Sequence, residues 1–504
     1  MVQMAGRKTS IPSPIGGWNA STSQDLMGPT DAIYLINFHP GDSEVYARNG
    51  FASHATGLGN NIETLMSYDG AGTQNMFGIA GTSVFNVTAA GAVGAAVVTG
   101  LSGAKWGSLM MATSGGPYLW MWDETGTDAP QHLTGSTWAT PTLSSITASD
   151  VIGATVHKLR LFMILKNSLK FAYLPVNSIA GNVTTFDLAS LFTHGGTLAW
   201  VGSWTRDGGA GVDDLICFGT TNGEIAVYQG TDPASASTWS LIGVFKIGAP
   251  IGSRCVMKVG ADLIILTEAG VVPLSQVLTT GESAPSTTIT NKIADAFRNA
   301  NRMHGSRSGW SMTLYPKGKY AFVNVPVGTT TFRQYVVNLK SGAWTEYRGQ
   351  NGFSWVVHNK ELYFGTNGTV FKADTGANDN GAAIECSGKP AFNYFGSRGQ
   401  NKQFTMMRPV MESNGALPVQ IGFDVDFANG TSTYTASTVV AEGSAWDDAT
   451  WDSADWATEA ATIQAWRSIT GIGYCGAPRI KTSTTAQSVV WHSTDILYVP
   501  MVGL

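Results

Sequence analysis

One short unit constrains this chain more than any other feature: an apolar strand, a turn carrying Asn-Gly, and a second alternating strand. Its clearest copy spans residues 215–228, Leu-Ile-Cys-Phe-Gly-Thr-Thr-Asn-Gly-Glu-Ile-Ala-Val-Tyr. Residues 364–371 (Phe-Gly-Thr-Asn-Gly-Thr-Val-Phe) nearly repeat it, and residues 77–85, 110–122 and 263–272 follow the same outline. Asn-Gly between two such runs is the strongest local hairpin signal, and it predicts a type I′ turn with positive φ at both Asn222 and Gly223. A hairpin cannot bury its apolar face alone, so recurrent hairpins imply sheets stacked on their neighbours.

Composition agrees. Gly makes up 60 of 504 residues, about 12% against a usual ~7%, while charged residues are only 13%, about half the usual share. That suits many short strands joined by tight turns, with hydroxyls and amides covering the surface. Net charge is -5, and it is unevenly placed: from Met411 onward ten acidic residues face only Arg467, Arg479 and Lys481. No run is basic enough for the usual nucleic-acid footprint. Cys217, Cys255, Cys386 and Cys475 form no CxxC, which excludes a zinc ribbon and predicts reduced, buried thiols. Residues 1–10 lack the apolar stretch of a secretion signal, and no run approaches the ~18 apolar residues of a membrane span.

Taken in order, residues 1–26 read as an extended, loop-like arm, with Ile15 and Trp18 as anchors on another surface. Thr30 or Asp31 is positioned to cap a short helix or turn, and Arg48 closes a short strand just before Asn49-Gly50-Phe51. Hairpins are expected at 64–87, 107–123, 159–174, 214–228, 254–274, 311–325, 332–347 and 355–373. Trp138, Trp239 and Trp344 each follow a small-residue turn and should begin or follow the outer strand of a sheet. One helix is expected over 287–302, with Thr287 as its cap. Strands at this spacing over some 300 residues need an architecture without exposed sheet edges, and radial blades supply one. From about residue 383 the strands lengthen and tight hairpins thin out, as in a β-sandwich. The fold class expected is therefore all-β: a β-propeller of about five to seven blades, with a platform or β-sandwich built from the N- and C-terminal regions. Its divisions are 1–60 for the arm and platform segment, 61–382 for the propeller and 383–504 for the sandwich.

Reactive constellations are scarce. Asp424 and Asp426 stand two apart on an expected strand, so they should share one face. Such a pair can hold a cation or act as acid and base, although solvated or subunit-facing carboxylates are the commoner case. Residues 205–209 (Thr-Arg-Asp-Gly-Gly) resemble half of an Asp-box turn but lack its aromatic and a second copy. Gly208-Gly-Ala-Gly211 does not open a helix, and neither GxSxG nor GxxxxGK occurs. The eight histidines are scattered, and His39 and His358 read as structural. Trp446, Trp451 and Trp456 recur every five residues among four Asp. They suit a loop plugged into the sandwich or a neighbouring subunit, or a sugar-stacking platform. No catalytic residue, metal or cofactor is assigned.

The segment Met-Gly-Pro-Thr-Asp-Ala-Ile-Tyr-Leu-Ile-Asn-Phe followed by Ala-Arg-Asn-Gly-Phe, residues 27–51, resembles the opening of tail nozzle proteins of short-tailed bacteriophages, also called tail hub or packaged-DNA-stabilisation proteins. Phe395-Gly, Lys402, Arg408 and Asp424-Val-Asp426 resemble their terminal β-sandwich. The resemblance implies a structural virion protein without catalysis, made in the bacterial host cytoplasm and built into the phage tail. It implies a homo-hexameric ring below the head-to-tail adaptor, in contact with tail fibre or tailspike and tail tip proteins. Genomic DNA would be retained by the ring and pass through its lumen without sequence specificity. An acidic lumen lets DNA slide, because fewer basic contacts mean less counterion release. Asp424 and Asp426 are then candidate channel-lining residues, and Trp18, Trp446, Trp451 and Trp456 candidate subunit or partner contacts. The alternative is a receptor- or glycan-binding phage propeller whose Trp446–Trp456 loop is the sugar platform. An exo-glycosidase is a third reading, weakened by the defective Asp-box.

Overall fold

The computed structural model describes residues 6–70, 72–207, 212–280, 288–430, 434–436, 461–463 and 465–501. Its hairpins gather into seven blades set around an axis, of which the first and last share one continuous sheet and the sixth runs into the platform. Blade 1 is the second half of the long strand Phe51–Gly70, followed by Thr73–Ala80, Ser83–Asn86 and Val98–Thr99. Blade 2 is Trp106–Thr113, Gly116–Asp123, Gln131–Thr134 and Thr137–Ala139. Blade 3 is Val151–His157, Arg160–Leu165, Lys170–Tyr173 and Thr184–Asp187, and blade 4 is Leu198–Asp207, Val212–Thr220, Glu224–Gly230 and Trp239–Lys246. Blade 5 has three strands, Val256–Val259, Asp262–Thr267 and Gly270–Pro273. Blade 6 is Ser311–Tyr315, Tyr320–Pro326, Phe332–Asn338 and Trp344–Arg348, and blade 7 is Ser354–His358, Glu361–Gly365 and Asn367–Ala373.

The first strand of each blade touches the first strand of the next, and blade 7 returns to blade 1. The ring is closed by one strand. The first half of Phe51–Gly70 pairs with Asn367–Ala373 as the outer strand of blade 7, and its second half begins blade 1. Residues 51–60 therefore belong to the propeller, not to the platform. Closure of this kind pairs the chain's early and late segments and removes the free edge that an open ring would carry.

Strand alternation explains how one sheet serves two neighbours. On Val212–Thr220, Ile216 and Phe218 face blade 3, and Phe218 stacks on Phe171 with ring centroids 4.3 Å apart. Leu215 and Cys217, on the opposite face, join Ile225 and Val227 in the core shared with blade 5. The turn between these strands differs from the expected type I′. Only Gly223 has positive φ (84°), and its N–H donates to the Thr220 carbonyl. A single left-handed Gly closes the hairpin, so Asn222 keeps ordinary backbone geometry. Trp138, Trp239 and Trp344 do lie on outer strands, of blades 2, 4 and 6. Trp138 meets Phe77 of blade 1 edge-on at 5.3 Å, Trp239 stacks on Tyr228 at 5.0 Å in the core between blades 3 and 4, and Trp344 is buried in the core that blade 6 shares with the platform.

The two chain ends make a platform of two packed sheets. In one, Val490–Pro500 lies between Lys402–Ser413 and Arg7–Pro12, with Val45–Ala47 and Phe38–Pro40 beyond. In the other, Asp31–Ile36, Ile384–Pro390, Gly476–Thr484 and Val419–Val425 run side by side, and a parallel bridge from Ile36 to Glu346 joins them to blade 6. Phe38, Met407, Ile421, Ile480 and Trp491 fill the space between, in a core continuous with that of blades 4 to 6.

Three local expectations are corrected. The arm is loop only in part: Arg7–Pro12 pairs antiparallel with residues 493–498, which supplies partners for the backbone groups along one edge, while residues 19–26 stay irregular. Asp31 caps no helix. It starts a strand, and its carboxylate accepts from Asn19 at 2.8 Å and meets Lys292 Nζ at 2.8 Å. The expected helix starts later, at Ala294–His304, after a 3-10 turn over Asn291–Ile293, and Thr287 lies outside the described residues. A shorter helix, Leu274–Thr280, was not foreseen.

Candidate functional site at the propeller axis and in the platform

The axis of the ring is plugged. Arg254 lies just before the inner strand of blade 5 and reaches across to blades 1 and 2. Its Nε donates to Glu124 Oε1 at 2.7 Å, one terminal nitrogen to the Glu63 carbonyl at 2.8 Å, and the other to Thr64 Oγ1 at 2.8 Å and the Trp106 carbonyl at 3.1 Å. Ser253 Oγ donates to the second Glu124 oxygen at 2.6 Å. The guanidinium's donors are thus largely committed to this chain's own acceptors, as its planar fork allows.

The plug separates two cavities. Inside it lies a channel of about 510 Å³ with Ser108, Thr155, Ser203 and Lys258 on its walls. Outside it lies a mouth of about 440 Å³. Lys105, Arg254, the 305–310 segment and Phe353 each stand just before an inner strand, while Glu124 and Thr329 sit on second-to-third-strand turns. These connections emerge on one face of a propeller, so the mouth is a composite of five blades. Nothing in the local sequence marks Lys105, Glu124, Arg254 or Arg307, because ring closure alone brings them together.

The candidate residues read from the sequence fall elsewhere. Asp424 and Asp426 do not share a face: the strand Val419–Val425 ends between them, and Asp426 turns left-handed at φ 47°. Asp424 is fully buried, its Oδ2 2.7 Å from Lys389 Nζ, and Arg479 Nε lies 3.0 Å away. Burial pulls the Lys389 ammonium below its ordinary pKa, and the Asp424 carboxylate opposes that shift. A group so enclosed in its own subunit is an interior ion pair, which corrects its placement as channel lining. Asp426 accepts from the Tyr474 and Cys475 N–H groups at 2.7 and 3.2 Å, so it fastens a turn.

Trp18 is only 8% exposed and packs edge-on against Tyr335 of blade 6 at 5.2 Å. It anchors the arm on its own subunit, not on another, because Gly17–Trp18 pairs in parallel with Asp31–Ile36 and turns the indole inward. Trp446, Trp451 and Trp456 lie outside the described residues, as does the Gly208–Gly211 part of the Asp-box-like turn. The four thiols are free and buried, and burial raises the pKa of each. Among the described residues no cluster of His, Cys, Asp and Glu is grouped to hold a metal, and no helix is long and apolar enough to cross a membrane.

No family model and no curated protein matches the chain. Among solved structures, it is similar to the extracellular domain of the hybrid two-component system BT4673 from B. thetaiotaomicron, at 13% identity and a TM-score of 0.38. That match covers 71% of this chain and 43% of the other, so the chain spans less than half of that structure's length. It is also similar to BBS1N from its complex with ARL6DN, at 10% identity and a TM-score of 0.39, covering 66% of this chain and 99% of that one. A third similarity, at 10% identity, is to YCF48 bound to D1 peptide, with a TM-score of 0.34 over 68% of this chain and 98% of that one.

Proposed function

We propose that this chain is a structural subunit of a ring-shaped tail nozzle, which forms a DNA exit channel between its copies, retains packaged DNA and passes it on during ejection. The observation that carries the reading is the seam at residues 27–51, the stretch that resembles nozzle openings. Its strands enter both platform sheets, and Arg48 at its end locks the platform to the propeller. A rigid platform assembled from both chain ends, with a propeller fixed beside it, suits a load-bearing ring subunit. The plugged axis adds to this: DNA would pass between subunits and not through a propeller. The chain would act without catalysis and without a cofactor, as a homo-hexamer between an adaptor ring above and tail fibre or tip proteins below.

The low surface charge fits a protein whose faces are covered by other subunits, and the acid-rich C-terminal region fits a lumen that does not grip phosphates. Native mass spectrometry of the full chain tests the assembly. Six copies per particle are expected, and a species that stays monomeric at every concentration would contradict the reading.

A further inference from the structure

We propose that the mouth of the propeller axis binds one anionic sugar unit, a uronate or a sugar phosphate. The mouth's volume of about 440 Å³ lies in the usual range of small-molecule sites, ~300–1,000 Å³. Its charge is not spent internally. Arg254 and Glu124 cancel at the floor, while Lys105, Arg307 and Glu63 on the walls enter no ion pair among the described residues. Two cations against one carboxylate leave a net positive mouth with a negative spot.

That mixture selects for more than an anion. Lys105 and Arg307 suit a carboxylate or phosphate, and Glu63 suits the hydroxyl donors of a sugar ring. Ser306 and Ser308 add two further hydroxyls. Half-buried Phe353 gives the apolar wall that a sugar's C–H face requires, and Trp310, buried behind the mouth with its indole N–H on the His304 carbonyl, holds the 305–310 segment in place. Gly309, held at φ 109° where its Cβ would meet Phe332 at 2.7 Å, lets the 305–310 segment fold tightly against blade 6. The inference does not depend on the nozzle reading, since it concerns a face of the single subunit.

Calorimetric titration of the full chain with glucuronate, glucose 6-phosphate, glucose and inorganic phosphate tests it. At least one anionic sugar should bind with a Kd of about 1 mM or tighter, and glucose and inorganic phosphate at least about tenfold more weakly. Lys105→Ala and Arg307→Ala should each weaken that binding about tenfold or more, with the melting temperature unchanged. No binding by either anionic sugar, equal binding by glucose or by phosphate alone, or full affinity in both variants would overturn the proposal.

Discussion

Arg48 and Asp379 are 331 residues apart in the chain, yet the two terminal nitrogens of Arg48 meet the two Asp379 oxygens at 2.8 and 2.6 Å. The Arg48 side chain is 1% exposed and also donates to Asn37 Oδ1 and to the carbonyls of Asn49 and Arg348. One side chain therefore ties the platform strands, the end of blade 6 and the turn that leads into the ring-closing strand. Arg48→Ala leaves Asp379 and several carbonyls without their donor, and should cost about 3–5 kcal/mol. Arg48→Lys should recover only part, since an ammonium cannot reproduce the bidentate fork. Denaturant melts of the three proteins check this order.

Trp18 fastens the arm to blade 6. Truncation to Ala removes a buried indole and its edge-on contact with Tyr335, so Trp18→Ala should cost about 3–5 kcal/mol even in the monomer. Had Trp18 served only as a contact between subunits, the isolated chain would melt unchanged and only assembly would suffer.

Stability should fall with acid. His39 is buried with its Nδ1 2.7 Å from the Tyr347 hydroxyl, and burial lowers its pKa from 6.5 to about 4. A histidine held neutral in the folded state binds fewer protons there than when unfolded. Its contribution is thus complete above about pH 6.5 and is lost as pH falls toward 4, up to about 3 kcal/mol. Burial moves His132, His157 and His358 the same way. Thermal melts between pH ~7 and ~4.5 should show this loss, and His39→Gln should flatten the slope over that window.

The Asp424 triad makes a different demand. Asp424→Asn leaves the Lys389 ammonium buried without a counter-charge and should destabilise by about 3–5 kcal/mol. Adding Lys389→Met should restore much of that, because the double replacement leaves no orphaned charge on that side. A double mutant no better than Asp424→Asn alone would show that the pair is not coupled as described.

The parts of this fold legible in the sequence are those that local chemistry decides. Alternation and turn residues mark at least one hairpin in each blade from 64–87 to 355–373, though the first strands of blades 3 and 4, Val151–His157 and Leu198–Asp207, fall outside those hairpins, and Trp138, Trp239 and Trp344 mark outer strands. What escapes is set by closure. Arg7–Pro12 looks like a loop until residues 493–498 supply its hydrogen bonds, and Arg254 looks ordinary until Glu63, Thr64, Trp106 and Glu124 arrive from across the ring. Asp424 and Asp426 illustrate the hazard of spacing alone. Two residues apart means one face only while the strand continues, and here it ends at Val425.

The central claim is a nozzle built from copies of this chain, and cryo-electron microscopy of the assembled full-length protein tests it most directly. The account predicts a ring of six subunits around an open lumen lined mainly by acidic and uncharged side chains, with each propeller axis still closed by Arg254 and Glu124. A particle without a central lumen, or one whose lumen is lined by lysine and arginine, would contradict it.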